Sequence, residues 1–173
     1  MSNNSNIEWT ESTWNPLTGC TKISPGCKHC YAERMALRLK AMGQPNYANR
    51  FNITIHEHAS ELPLTWKKPQ VVFVNSMSDL FHEAVPVEFV LKVFGIMRQA
   101  SWHTYQVLTK RSQRLADLGK KIHWSGNIWM GVSVENDNYR YRIDDFKEDE
   151  SAYKVSFFRT AARTATKFRP ARD

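Results

Sequence analysis

Apolar positions along the chain fall into blocks whose spacing changes from two residues to three or four and back. From Ile7 to Trp14 the pattern alternates, with Ile7, Trp9, Glu11 and Thr13 set against Glu8, Thr10, Ser12 and Trp14, and Asn15-Pro16 then turns the chain, which predicts a first strand. From Tyr31 the period is helical. Tyr31, Met35, Leu39 and Met42 recur in a segment rich in Ala, Leu, Arg and Glu, and Gly43 supplies a C-terminal stop. Residues 44–68 carry little pattern beyond Ile53 and Ile55 alternating with Thr54 and His56, and Pro63 and Pro69 cut longer elements short; this stretch is expected to cover one side of the core.

Three similar units follow. Val71-Val72-Phe73-Val74 is a continuous apolar run ending in Asn75-Ser76-Met77-Ser78-Asp79, and Pro86 opens a helix with Phe89, Val90, Val93, Phe94 and Met97 on one face. Tyr105 to Leu108 ends in Thr109-Lys110-Arg111 and leads to a short helix through Leu115 and Leu118 to Gly119. Ile128 to Val134 ends in Glu135-Asn136 before a helical stretch around Tyr139 to Phe146. Strand, polar end and helix in repetition is the pattern of parallel βα units. A chain of 173 residues is long enough for one such domain with its own core, expected over residues 1–157.

Ligands of parallel sheets gather at the carboxyl ends of the strands. The candidate rim is therefore Asn75, Ser76, Ser78, Asp79, Thr109, Lys110, Arg111, Glu135 and Asn136. Each of these could instead cap a helix or line a solvated turn, and for Ser78, Asp79 and Asn136 capping is the simpler single reading. Their weight comes from three strands ending in polar runs together.

The strongest chemical signal lies in the loop of residues 14–31, between the first strand and the Tyr31 helix. Cys20, Cys27 and Cys30 are all the cysteines of the chain, and Pro25 and Gly26 bend the backbone between the first two. Thiolates grouped this tightly can converge on a single ion or cluster and leave one coordination position open. The helix that starts right after Cys30 would turn its first N–H groups and positive dipole end toward them. Two metal sites fit. A [4Fe-4S] cluster on three cysteines leaves one iron for a substrate or S-adenosylmethionine, whereas structural zinc wants a fourth protein ligand, for which His29, His56 and His58 are on offer. His29 sits between two ligands, and His56 and His58 share a strand face. Zinc would go with a different function, a non-catalytic module binding DNA or a partner protein.

Charge and composition narrow the setting. The net charge is +7, but residues 154–173 hold six of the 24 basic and one of the 17 acidic side chains, so the rest of the chain carries only +2. Nucleic-acid binding is thus a property to seek in the tail. With no apolar run long enough for a membrane span, the protein is expected in the cytoplasm, where clustered cysteines read as metal-binding rather than as disulfides.

Five blocks then align with a known pattern: Trp14-Asn15-Pro16-Leu17-Thr18-Gly19-Cys20, Ser24-Pro25-Gly26-Cys27-Lys28-His29-Cys30-Tyr31-Ala32, Val74-Asn75-Ser76-Met77-Ser78-Asp79-Leu80-Phe81, Leu108-Thr109-Lys110-Arg111 and Gly131-Val132-Ser133-Val134-Glu135-Asn136. Together they resemble the phage-associated three-cysteine-motif family, a domain of unknown function in phages and bacteria whose cysteine loop is similar to that of radical S-adenosylmethionine enzymes. The resemblance implies a partial (β/α) barrel of parallel strands with Cys20, Cys27 and Cys30 as cluster ligands, and an enzyme ancestry without a named substrate. Radical enzymes space their cysteines C-x3-C-x2-C with an aromatic before the last; here six residues separate Cys20 from Cys27, and His29 takes the aromatic place. The Gly-Gly-Glu segment those enzymes use for the amino group of S-adenosylmethionine is absent from this chain.

The tail breaks the pattern. Residues 158–173 have neither period and set bare arginines where the next βα unit should begin. Read one base out of frame from Phe158, the codons permit Ser-Glu-Pro-Leu-Leu-Gly-Pro-Leu, and members of the resembled family continue with a segment very like this. The expectation is an out-of-frame, poorly structured tail, and with it a barrel incomplete at its C-terminus in a truncated form of doubtful activity. A native basic tail touching nucleic acid is the weaker alternative.

Overall fold

A computed structural model describes residues 9–147 and 158–159. In chain order the elements are β1 (Ser12–Trp14), β2 (Leu17–Thr18), α1 (Tyr31–Ala41), β3 (Thr54–Ile55), α2 (Glu57–Ser60), α3 (Leu62–Thr65), β4 (Val71–Val74), α4 (Val87–Gln99), β5 (Thr104–Thr109), α5 (Ser112–Gly119), β6 (Ile128–Val134), α6 (Tyr141–Lys147) and β7 (Phe158–Arg159). The main sheet runs β1-β4-β5-β6-β7 with every neighbouring pair parallel, and β2 and β3 form a separate antiparallel pair. Parallel strands in sequential order with helices in the crossovers make a partial (β/α) barrel. Most of the tail expected to be out of frame, residues 160–173, lies outside the described residues.

Alternation within the strands decides what the sheet faces. Val72 and Val74 of β4, Tyr105 and Val107 of β5, and Ile128, Met130 and Val132 of β6 are buried, and they share one core with Phe89, Val90, Val93, Phe94 and Met97 of α4 and Leu115 and Leu118 of α5. Successive strand side chains point to opposite faces, so Phe73, Leu108 and Ser133 lie on the other face, toward the barrel interior. Trp14 anchors the edge strand: its ring is fully buried and its Nε1–H donates to the Ala59 carbonyl at 2.8 Å.

The helix expected from Tyr31 is present as α1, of which only Ala36 is fully buried while Tyr31 and, just past its end, Met42 stay 60% and 62% exposed. The helix follows edge strand β1, which has a sheet neighbour on one side only. One expectation changes in detail. His56 and His58 do not share a strand face, because β3 stops at Ile55 and the chain turns into α2. His56 is buried there with its Nε2 2.9 Å from Thr18 Oγ1, while His58 lies on α2. Among the described residues no helix is long and apolar enough to cross a membrane.

Candidate metal centre

Local geometry lays the cysteine loop over the ends of three strands. After β1, Asn15 Oδ1 accepts from the Met77 N–H at 3.1 Å and the Ser76 hydroxyl at 3.2 Å, tying the turn to the segment that follows β4. Gly19 then bridges to Ser78, its N–H donating to Met77 O at 3.0 Å. Its φ is +91°, and a Cβ there would lie 2.2 Å from the Asn52 carbonyl oxygen, so no side chain fits. Cys20 is thereby placed beyond the end of β4. Farther along, Pro25–Cys27 forms a single 3-10 turn, and a Cβ on Gly26 would come within 2.4 Å of Glu135 Cγ. Ser24 Oγ donates to Glu135 Oε1, which clamps the loop to the end of β6. Cys30 occupies the position just before α1, so the thiol stands at the positive end of that helix.

These contacts bring all three cysteines, each half-buried and free, to the border of one cavity of about 330 Å³. Phe73, Leu108 and Ser133 line it from the sheet. Of the rim residues read from sequence, Asn75, Ser76, Ser78, Asp79, Thr109, Lys110 and Arg111 line the same cavity. Glu135 lies beside it, accepting from Ser24 and pairing with Arg142 at 2.7 Å and Lys110 at 3.8 Å. Asn136 is a cap, its Oδ1 accepting from Asn138 N at 3.0 Å. Ser78 and Asp79 also do structural work: Ser78 donates to Leu17 O, and Asp79 accepts from Phe81 N, Thr109 Oγ1 and Lys110 N.

Electrostatics around the thiols are set by Arg111, which is buried between Asp79 at 3.2 Å and Glu83 at 2.9 Å with its Nη1 3.6 Å from Cys20 Sγ. Burial pushes the Cys20 thiol up, against the lowering pull of the Arg111 charge. Burial would raise Cys27 too, but hydrogen bonds with the Ile23 and Ser24 backbone and the Ser24 hydroxyl, with Lys110 nearby, outweigh it and hold that thiol below its usual value. His82, which sequence reading passed over, bonds Thr21 Oγ1 through Nε2 at 2.9 Å; burial and the Arg111 charge keep it below its ordinary value and so neutral. Asn15, Ser24 and Glu83 were also unmarked, since each acquires its partner only across the fold, as was Arg142, whose partners Ser133 and Glu135 lie at the end of the preceding strand.

Among the described residues, no three Cys, His, Asp or Glu side chains gather closely enough to take one ion; the three thiols are instead set around the border of the cavity. A larger cavity of about 660 Å³ lies on the other side of Lys110 and Arg111, between α5 and α6, but no thiol reaches it.

Comparison with known proteins agrees with this architecture. The family model for a protein of unknown function (DUF5131) matches residues 4–158, and the chain belongs to that family. A search of curated proteins found no match. Among solved structures, a cysteine-to-serine mutant of spore photoproduct lyase is similar in fold, with a TM-score of 0.59 over 92% of this chain at 12% identity. The chain spans about half of that lyase, covering 48% of it.

Proposed function

We propose that this family member is an iron-sulfur protein of the radical S-adenosylmethionine type, in which Cys20, Cys27 and Cys30 each ligate one iron of a [4Fe-4S] cluster and the fourth iron is open to S-adenosylmethionine. The observation that carries the reading is the convergence of three free thiols on one cavity at the carboxyl ends of a parallel sheet. The fold likeness to spore photoproduct lyase supports it, and the phage or prophage setting rests on the resemblance of the sequence blocks.

When bound, such a cluster supplies single electrons to S-adenosylmethionine. The chain's own residues prepare the place for it. Arg111 directs its Nη1–H at the Cys20 sulfur and compensates thiolate charge, held in position by Asp79 and Glu83. Hydrogen bonds and the Lys110 charge keep Cys27 ready to ionise. Phe73 and Leu108 give the cavity an apolar wall on the sheet side, beside the thiols.

Anaerobic purification followed by iron, sulfide and zinc analysis tests the assignment. The expected result is iron and sulfide in near-equal amounts and a brown chromophore that Cys27→Ala abolishes. Stoichiometric zinc without iron would overturn it in favour of a non-catalytic binding module.

A further inference from the structure

Outside the tail, the chain's small net charge conceals an asymmetry. Residues 20–50 hold six basic side chains, Lys22, Lys28, Arg34, Arg38, Lys40 and Arg50, against Glu33 alone, a net of +5. The other residues up to 153 hold 12 basic and 15 acidic side chains, a net of −3. The excess positive charge of this part therefore lies in the cysteine loop, α1 and the loop that follows. All six of these basic residues are exposed.

The structure gathers them on one surface. Lys22 pairs with Glu33 at 2.7 Å, which ties the cysteine loop to the first turn of α1, and residues 45–47 pack back against the same helix. The Cys20 N–H donates to Phe51 O at 3.1 Å, so the segment carrying Arg50 returns to the loop as well. Along α1, Tyr31, Arg34 and Arg38 follow one another at three and four residues on one exposed side. Among the described residues, the five cations other than Lys22 form no ion pair. Tyr31 and the exposed His29 also line the cysteine cavity, so the basic face runs up to its border.

Concentrated positive charge without counter-charges attracts a polyanion. A phosphate chain satisfies several separated cations at once, and an exposed ring among them is a stacking platform for bases freed from a duplex. An anionic membrane fits less well. Met35, Ala36 and Leu39 turn inward, and the exposed Leu37 and Met42 flank the Arg34 and Arg38 column, which leaves no continuous apolar stripe to enter a bilayer.

We infer that α1 and the cysteine loop form a binding face for single-stranded nucleic acid, with Arg34, Arg38 and the neighbouring lysines on the phosphates and Tyr31 stacked on a base. The inference is independent of which metal the cysteines hold.

Fluorescence anisotropy of a labelled twenty-nucleotide oligothymidine with the anaerobically purified full chain, over a series of salt concentrations, tests it. Arg34→Ala/Arg38→Ala removes two exposed cations and sets the best helix former in their place, so the fold is kept. Lys120→Ala/Lys121→Ala removes the same charge from the connection between α5 and β6, at the opposite end of the sheet, and is the control. The tail is identical in every protein. The α1 variant is expected to bind about fivefold to thirtyfold more weakly and to flatten the log–log salt slope by about 1.4, for two lost phosphate contacts, while the control keeps wild-type values. Tyr31→Ala is expected to bind about fivefold more weakly, or worse, with the slope unchanged. Equal weakening in the α1 variant and the control, wild-type affinity in the α1 variant, or no binding by wild type overturns the inference. So does displacement of the oligonucleotide by poly-glutamate or by phosphatidylserine vesicles at equal charge concentration. Wild-type affinity in Tyr31→Ala, or tighter binding of a duplex of the same length, overturns the single-stranded assignment.

Discussion

Removing the Arg111 guanidinium is expected to cost about 3 kcal/mol of folding stability, from the loss of a buried ion pair. The Arg111 side chain is 3% exposed and its nearest buried partner, Asp79, has a side chain 9% exposed, so Arg111→Ala strands a carboxylate away from water. Breaking such a pair costs about 3–5 kcal/mol. The lower end applies because Asp79 keeps three donors, Thr109 Oγ1 at 2.7 Å and the Phe81 and Lys110 N–H groups at 3.1 Å. The Glu83 pair adds little, since that side chain is 65% exposed and water takes over as its partner. Urea unfolding of wild type and Arg111→Ala at equal iron content measures the difference as a shift in midpoint. Adding Asp79→Asn should restore part of the loss by removing the stranded charge, though not all, because an amide cannot accept at both oxygens' positions. A single-variant loss below about 1 kcal/mol, or no recovery in the double variant, would refute the reasoning.

Other consequences follow from the loop and the histidines. Gly19→Ala should lower stability by about 3 kcal/mol, since its Cβ would meet the Asn52 backbone at 2.2 Å in a left-handed conformation; a wild-type melting temperature would contradict this. Gly26→Ala would drive its Cβ to 2.4 Å from Glu135 Cγ, and that nearly buried carboxylate is paired with Arg142 at 2.7 Å, so both stability and iron content per chain should fall as the Ser24 and Arg142 contacts are disturbed; wild-type stability with unchanged iron would count against the clamp. Burial depresses His56 and His103 below their ordinary 6.5. As the pH falls below 6.5 the unfolded chain takes up protons that the folded one refuses, so stability should fall between pH 7.5 and 5.5, by at most about 1.4 kcal/mol per pH unit for each histidine. Chemical unfolding across that window checks the sign, and a flat or rising profile would show that neither ring is held neutral.

The division between what sequence and tertiary structure decide is visible in particular elements. Val71–Val74, the helix after Pro86 and Ile128–Val134 were legible because period and apolar content act within a few residues. Their repetition implied parallel order, and parallel order implied that the polar strand ends share one rim with the cysteine loop. Local pattern could not tell which rim residues serve the fold and which are left over. Asn136 and Asn75 are the same residue type at the ends of two strands, yet one caps a turn and the other lies buried with its carboxamide unmatched. Likewise the helical spacing of Tyr31, Met35, Leu39 and Met42 was legible, but it could not tell that Tyr31 and Met42 would stay exposed. Arg111 becomes a partner of Cys20 only when residues 91 positions apart meet. Periodicity is a property of neighbours in the chain, whereas burial and hydrogen-bond satisfaction belong to neighbours in space, and the chemistry of the cysteine cavity is decided by the second.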